Sequence, residues 1–380
     1  MNIRVKQTTT SSRVKSLGIQ KMGATVAGSA VLILTSIITL PAHASMNCAD
    51  YLPNSYFERI ENTPAFAGKL VKKSEYSQQL QNAAGKVVLE HLSDAYILMD
   101  RYVLAKQYGR YGVANAAGEI IIPFEYDDIQ TEPDIATSFI VSLHSSDGVN
   151  SDGNGVHKQG IINRNGAWIY PLADADIQHA HYDSAHDQDY FIITEHRHNK
   201  GLENKGLTGL LTDKGDWAVL PQYDTIQPLN ACTGKPLYLQ VSRQHKTALI
   251  DQNNAVIIPF AANQHIELFN DHSAVPLFLR SSLIEGSTAK GMSQDIVDDI
   301  VSAQIIDANG KLRLASDAPI VKLLYHQLYA YQQAGKYGFI DDKIRVVLAP
   351  QFKSYRDEAD KVWVEKRGKM RRLDRFITLD

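Results

Sequence analysis

Five histidines fall within the 20 residues 179–198: His179, His181 and His186 in "HAHYDSAH", then His196 and His198 in "HRH", with Asp183, Asp187 and Asp189 interspersed. Imidazole nitrogens and carboxylate oxygens ligate zinc, copper or nickel. The i, i+2 spacing of His179/His181 and of His196/His198 places both members of a pair on one side of a strand. The pairs flank the apolar stretch "DYFIIT", so a hairpin could bring them together. The competing reading is a polar loop with two strand ends, which needs no ion. Neither H-E-x-x-H nor C-x-x-C occurs, so catalytic zinc is not supported.

The other chemical signals are weaker. "NSDGNG" resembles the start of a calcium loop at Asn150, Asp152, Asn154 and Gly155, but the twelfth position is Ile161, where a bidentate glutamate is needed. "GRYGVANAAG" has the wrong spacing for a dinucleotide loop and leads into a β run; no G-x-x-x-x-G-K-[ST] is present. There is no G-x-S-x-G elbow. Acidic residues are scattered without singling out a glycosidase pair. The 18 tyrosines fit core and cross-strand positions better than a ligand groove.

The glycines instead mark a repeat. From Gly112, "GVANAAGEIIIP" places Gly118 six residues on and Pro123 eleven on. Gly160 begins "GIINRNGAWIYP" with Gly166 and Pro171; Gly209 begins "GLLTDKGDWAVLP" with Gly215 and Pro221. Ala248 begins "ALIDQNNAVIIP", where Asn254 replaces the second glycine, and Gly338 begins "GFIDDKIRVVLAP". Two degraded copies start at Gln79 and Gln304. All eight conspicuous positions (Gly112, Gly118, Gly160, Gly166, Gly209, Gly215, Asn254 and Gly338) are read as structural repeat turns, supplying shape rather than phosphate binding. Glycine or asparagine suits the φ > 0 of a tight hairpin. The residues after the turn are β-branched and aromatic, as strands prefer, and the proline predicts a strand end or an edge. A further strand precedes each anchor, as in "SFIVSLH", "DYFIITEH", "LYLQVSR" and "QLYAYQQ".

This pattern resembles the WG-repeat family. The matching segments are "KYGFID" (Lys336–Asp341), "RYGVAN" (Arg110–Asn115), "PFEYDDI" (Pro123–Ile129) and "PQYDTI" (Pro221–Ile226). No unit carries the family's tryptophan before the glycine, so this is a divergent copy. The resemblance covers roughly residues 75–380 and implies a β-repeat architecture with an interaction role and no shared catalytic residues.

The expected fold is mainly all-β: tandem units of about three short antiparallel strands in an open, curved β-array or solenoid, with a propeller-like ring as the alternative. Residues 45–75 read as an N-terminal cap and 76–380 as the repeat domain. A short helix is expected near 292–303, with Ile296, Val297, Ile300 and Val301 on one face. The C-terminal stretch reads as a hairpin with a basic cluster, Lys366, Arg367, Lys369, Arg371, Arg372 and Arg375, a charged edge that blocks strand pairing.

Residues 1–44 describe a signal peptide: five basic residues, the apolar run Ala24 to Leu40, and Ala42 and Ala44 as small cleavage-site residues. An uncleaved membrane anchor is the alternative, and the only expected membrane contact. Cleavage removes five positive charges and no negative ones, taking the formal net charge from −3 to −8, a poor balance for binding nucleic acid. In an oxidising compartment Cys48 and Cys232 are a candidate disulfide. The sequence thus reads as an exported, periplasmic or secreted, non-catalytic repeat protein. No cofactor is expected, and its partner is a protein or envelope component. The alternatives are a periplasmic metal-binding protein using the His179–His198 cluster, and a hydrolase of envelope glycans.

Overall fold

A computed structural model of the chain describes residues 66–98, 101–131, 138–149, 155–183, 188–196, 206–229, 236–270, 275–286, 299–324, 328–358 and 361–377. The signal segment and both cysteines lie outside these residues. Among the described residues no helix is long and apolar enough to cross a membrane.

The described residues form seven antiparallel sheets in sequence order. Sheet 1 spans Lys69–Tyr126, sheet 2 Asp128–Ala173, sheet 3 Ala175–Tyr223, sheet 4 Thr225–Ala261, sheet 5 Gln264–Ser316, sheet 6 Val321–Phe352 and sheet 7 Tyr355–Arg372. Sheets 2 to 6 are four-stranded meanders, so the repeating unit has four strands rather than three. The additional strand is the segment after each proline, for example Asp128–Gln130 and Thr225–Pro228. Sheet 1 has six strands because its long third strand, Val87–Leu98, serves two units. It bends where His91 and Asp94 take positive φ, and its two halves pair with different neighbours. Strand pairing already begins at Lys69, inside the expected cap. Of the expected helix, Asp299 is helical while Ile300 to Ala303 belong to the strand Ile300–Asp307; 292–298 lie outside the described residues. Pairing with the strand Leu277–Leu283 there satisfies the backbone along a β ladder.

Seven hairpins, two in sheet 1 and one in each of sheets 2 to 6, turn in the same way. Asn82, Asn115, Asn163, Asp251, Asp307 and Asp341 each accept, through Oδ1, the amides two and four residues on, at 2.8–3.1 Å. Thr212 does so through its hydroxyl at 3.3 and 3.2 Å. The residue three on donates its amide back to the first carbonyl and sits at positive φ: Gly85, Gly118, Gly166, Gly215, Asn254, Gly310 and Ile344. These are Asx- and ST-type turns closing a hairpin with one left-handed residue. Both degraded copies, from Gln79 and Gln304, therefore carry the full turn.

Gly112, Gly160, Gly209 and Gly338 are not turn residues: they lie within strands. A Cβ on Gly209 would stand 2.7 Å from the Val219 carbonyl and 2.8 Å from the Pro221 nitrogen; on Gly338, 2.7 Å from the Leu348 carbonyl and 2.8 Å from the Pro350 nitrogen. The partner strand bulges there around its proline. That strand is the outermost of its sheet, so proline costs no ladder bond. It does not end the strand, which runs on to Tyr223 or Phe352.

Among the described residues seven apolar clusters hold consecutive units together. Leu80 and Leu92 pack on Val103 and Ala105 within sheet 1. Val113 and Ile122 meet Phe139 and Val141; Ile140 and Ile161 meet Phe191 and Ile193; Ile192 and Leu210 meet Leu239 and Val241. The series continues through Ile258 with Phe278, Leu279 with Tyr331, and Phe339 and Phe352 with Val364. Central strands are buried on both faces, which is why they read as continuous apolar runs rather than alternating ones. Among the described residues no cluster joins sheet 7 to sheet 1.

Candidate functional site

The described histidines of the 179–198 segment lie on sheet 3 and do not converge. His179 and His181 are on the strand Ala175–Asp183, which pairs with Gln188–Glu195. The register places His179 opposite Phe191 but His181 opposite Tyr190, with a bulge between them. Paired residues share a face and successive residues alternate, so the bulge sends the two histidines to opposite faces. His179 Nε2 is 2.9 Å from Asp189 Oδ1, and its ring meets Phe191 edge-on. His181 is fully buried beside Tyr190. His196 sits at the other end of the strand pair, its amide donating to the Asp174 carbonyl and its Nε2 3.1 Å from Asp176 Oδ2. His186 and His198 lie outside the described residues. Among the described residues no group of three or more His, Cys, Asp or Glu is arranged to hold a metal.

Ile161, the twelfth position of the calcium-like loop, is a fully buried core residue on the strand Gly155–Asn163. Tyr126 and Tyr170 are pushed up to about 12, by burial first and then by Glu125 and Glu195 respectively. Burial, Tyr337 and Asp357 do the same to Tyr355. These phenols stay protonated; Tyr170 donates to Glu195 Oε1 at 3.2 Å. Of the shifted carboxylates, Asp127, Asp307, Asp341 and Asp357 accept backbone amides, and Glu358 accepts the Trp363 indole N–H. Burial alone would raise Asp307 and Asp341, but turn amides and the Arg313 or Arg345 guanidinium together hold each below the ordinary aspartate value. Asp357 goes the other way: burial raises it, against the Leu324 amide that donates to its Oδ2.

A surface pattern emerges from the stacking itself. Two residues after each turn's left-handed residue, the fourth strand presents an apolar side chain outward. Ile120, Trp168, Val256, Leu312 and Val346 are 47–57% exposed, and Trp217 is half-buried. Neighbouring units hold these positions close. A Cβ on Gly166 would stand 2.7 Å from the Ile121 carbonyl, on Gly215 3.4 Å from that of Ile169, and on Gly310 3.2 Å from that of Ile257. The result is a ladder of apolar residues along sheets 1 to 6, exposed in all of them but sheet 3, where Trp217 packs partly on the core. A cleft of about 480 Å³ opens beside it between the turns of sheets 4 and 5, lined by Tyr238, Asp251, Asn253, Val256 and Asn309. The ladder was available in the sequence as the residue two past each turn, but each copy alone reads as an ordinary strand residue. The basic strand Lys369–Arg372 forms the exposed edge of sheet 7, and Lys366 lies over the Phe352 and Phe376 rings.

The fold and surface define a stacked β-repeat protein. The family profile for the WG containing repeat matches residues 111–132, so the chain carries a WG repeat, and the turn of that segment recurs along the stack. No curated protein matches the sequence. Among solved structures, the chain is similar to a eukaryotic initiation factor, at 10% identity, TM-score 0.26, and coverage of 78% of this chain and 89% of that one. It is also similar to the β-propeller domain of the trilobed protease from Pyrococcus furiosus, at 9% identity, TM-score 0.28, and coverage of 65% and 76%. A third is apo AztD from Citrobacter koseri, at 10% identity, TM-score 0.22, and coverage of 78% and 87%. Similarity this low says nothing about function.

Proposed function

We propose that the protein is an exported, non-catalytic β-repeat scaffold that binds a protein or cell-envelope partner along the apolar ladder of its fourth strands. The observation that carries this reading is the recurrence of a half-exposed apolar residue at one position of consecutive units, from Ile120 to Val346. Core packing does not require it, since the alternate residues of the same strands, such as Ile122 and Ile258, fill the core. An extended partner would meet a regular row of contacts, each unit adding a small area of burial. The basic, apolar and small-residue order of residues 1–44 supports export. The conspicuous glycines, acidic turn residues and tyrosines have structural roles, which favours binding over chemistry.

The test is a quantitative pull-down from the envelope fraction, with the mature chain as bait and a Trp168→Ser/Val256→Ser/Val346→Ser variant beside it. The partner captured by the wild type is expected to be lost from the variant while its thermal transition is retained. Equal capture by both would remove the ladder from the account.

A further inference from the structure

Sheet 2 departs from the other units at one hairpin. In sheets 4 and 6 the second and third strands join through two residues at positive φ, Gln244–His245 and Ala334–Gly335. An aspartate at the entry to each sheet caps that turn: Asp224 accepts the Gln244 amide at 2.9 Å and Asp317 the Ala334 amide at 2.8 Å. Asp127 has the same role in sheet 2, accepting the His144 amide at 2.7 Å. There, however, the strands continue, and His144 pairs directly across with His157. A position used elsewhere for turning has become a cross-strand histidine pair.

The rings are close. His144 Nε2 is 3.3 Å from His157 Nδ1, and the centroids are 4.6 Å apart. Two nitrogens bound at Zn–N length about a tetrahedral centre are separated by about 3.3 Å, so the strand pairing already sets the spacing of two ligands. The other nitrogen of His144, Nδ1, lies 3.5 Å from Asp127 Oδ2. A carboxylate behind one ring nitrogen fixes the tautomer with its proton there and leaves the far nitrogen's lone pair for a metal. The Asp127 carboxylate is itself held in place, by the His144 amide and by its ion pair with the Arg110 guanidinium. The His144 side chain is 64% exposed, which leaves room for water in the remaining coordination positions.

We infer that His144 and His157 form a two-histidine binding site for a divalent late first-row cation of the copper, nickel or zinc type, with Asp127 as a positioning residue and water completing the sphere. Imidazole pairs suit these ions. The site is separate from the 179–198 segment and does not depend on the scaffold reading.

Cu²⁺ is the probe, titrated into untagged mature protein and followed by calorimetry and by the nitrogen hyperfine pattern in electron paramagnetic resonance. The wild type is expected to show a site with two imidazole nitrogens. That signal should disappear in His144→Gln and in His157→Gln and persist in His179→Gln and His196→Gln, all with unchanged melting. Asp127→Asn should weaken binding about tenfold with the nitrogen count retained. The inference is overturned if the His144→Gln/His157→Gln variant binds Cu²⁺ with the wild-type affinity and spectrum, or if the wild type shows no two-nitrogen site at excess Cu²⁺.

Discussion

The two hairpins of each unit differ in how freely they vary. The turn from third to fourth strand keeps one length and one hydrogen-bond pattern from Asn82 to Asp341. The hairpin from second to third strand is two residues at Gln244–His245 and Ala334–Gly335 but extends well beyond that after His144. The first hairpin is squeezed between units, as the approach of Gly166 to the Ile121 carbonyl shows; at Gly335 there is open space. Turns that set the spacing of a stack cannot change without shifting the next sheet. Hairpins that project from it can, and there the sequence is available for new chemistry.

Glycine substitution should break this comparison most visibly. Gly166→Ala puts a Cβ at φ +84 and 2.7 Å from backbone, and is expected to cost about 3 kcal/mol in urea unfolding. Gly335→Ala meets only the left-handed backbone penalty at φ +70, about 1 kcal/mol. Equal costs would mean that the turns do not space the units. Next in size is Asn254→Ala. It loses a residue that tolerates φ 67 and the acceptor for the Tyr223 hydroxyl at 2.6 Å, a loss of about 1–2 kcal/mol by the same measurement.

Acid titration sharpens the comparison further. The folded values of Asp307 and Asp341 lie below the ordinary 3.8. Their contribution is therefore complete above that pH and is lost as pH falls through the lowered folded values. Asp307→Asn/Asp341→Asn keeps an acceptor in each turn and should flatten the acid limb of stability against pH. The smallest effect is expected at the variable hairpin. Replacing residues 145–156 by Asn-Gly, a favoured two-residue turn, should change unfolding stability by less than about 0.5 kcal/mol.

Much of this was legible because turn chemistry is local. Glycine or asparagine six residues from every anchor except Gly338, where Ile344 takes the place, identified the hairpin, and even Gln79 and Gln304 kept it. Some first strands were not legible: Asp128–Gln130 and Val321–Lys322 are too short to show a period. Ile300 and Val301 fit a helical face and a strand equally well, and pairing with Leu277–Leu283 decided the matter. The histidine spacing misled because strict alternation fails at a bulge, and nothing in "HAHYD" announces one. His144 and His157 are thirteen residues apart, and only strand register brings them together.

The central claim is that the partner lies along the apolar ladder and not on the projecting hairpins. Site-specific photocrosslinkers placed at positions 168, 256 and 346, and at 108, 245 and 335, test it directly in the envelope fraction. The ladder positions are predicted to crosslink a common partner and the hairpin positions to give none. Crosslinks to that partner from the hairpins, with the ladder silent, would contradict the account.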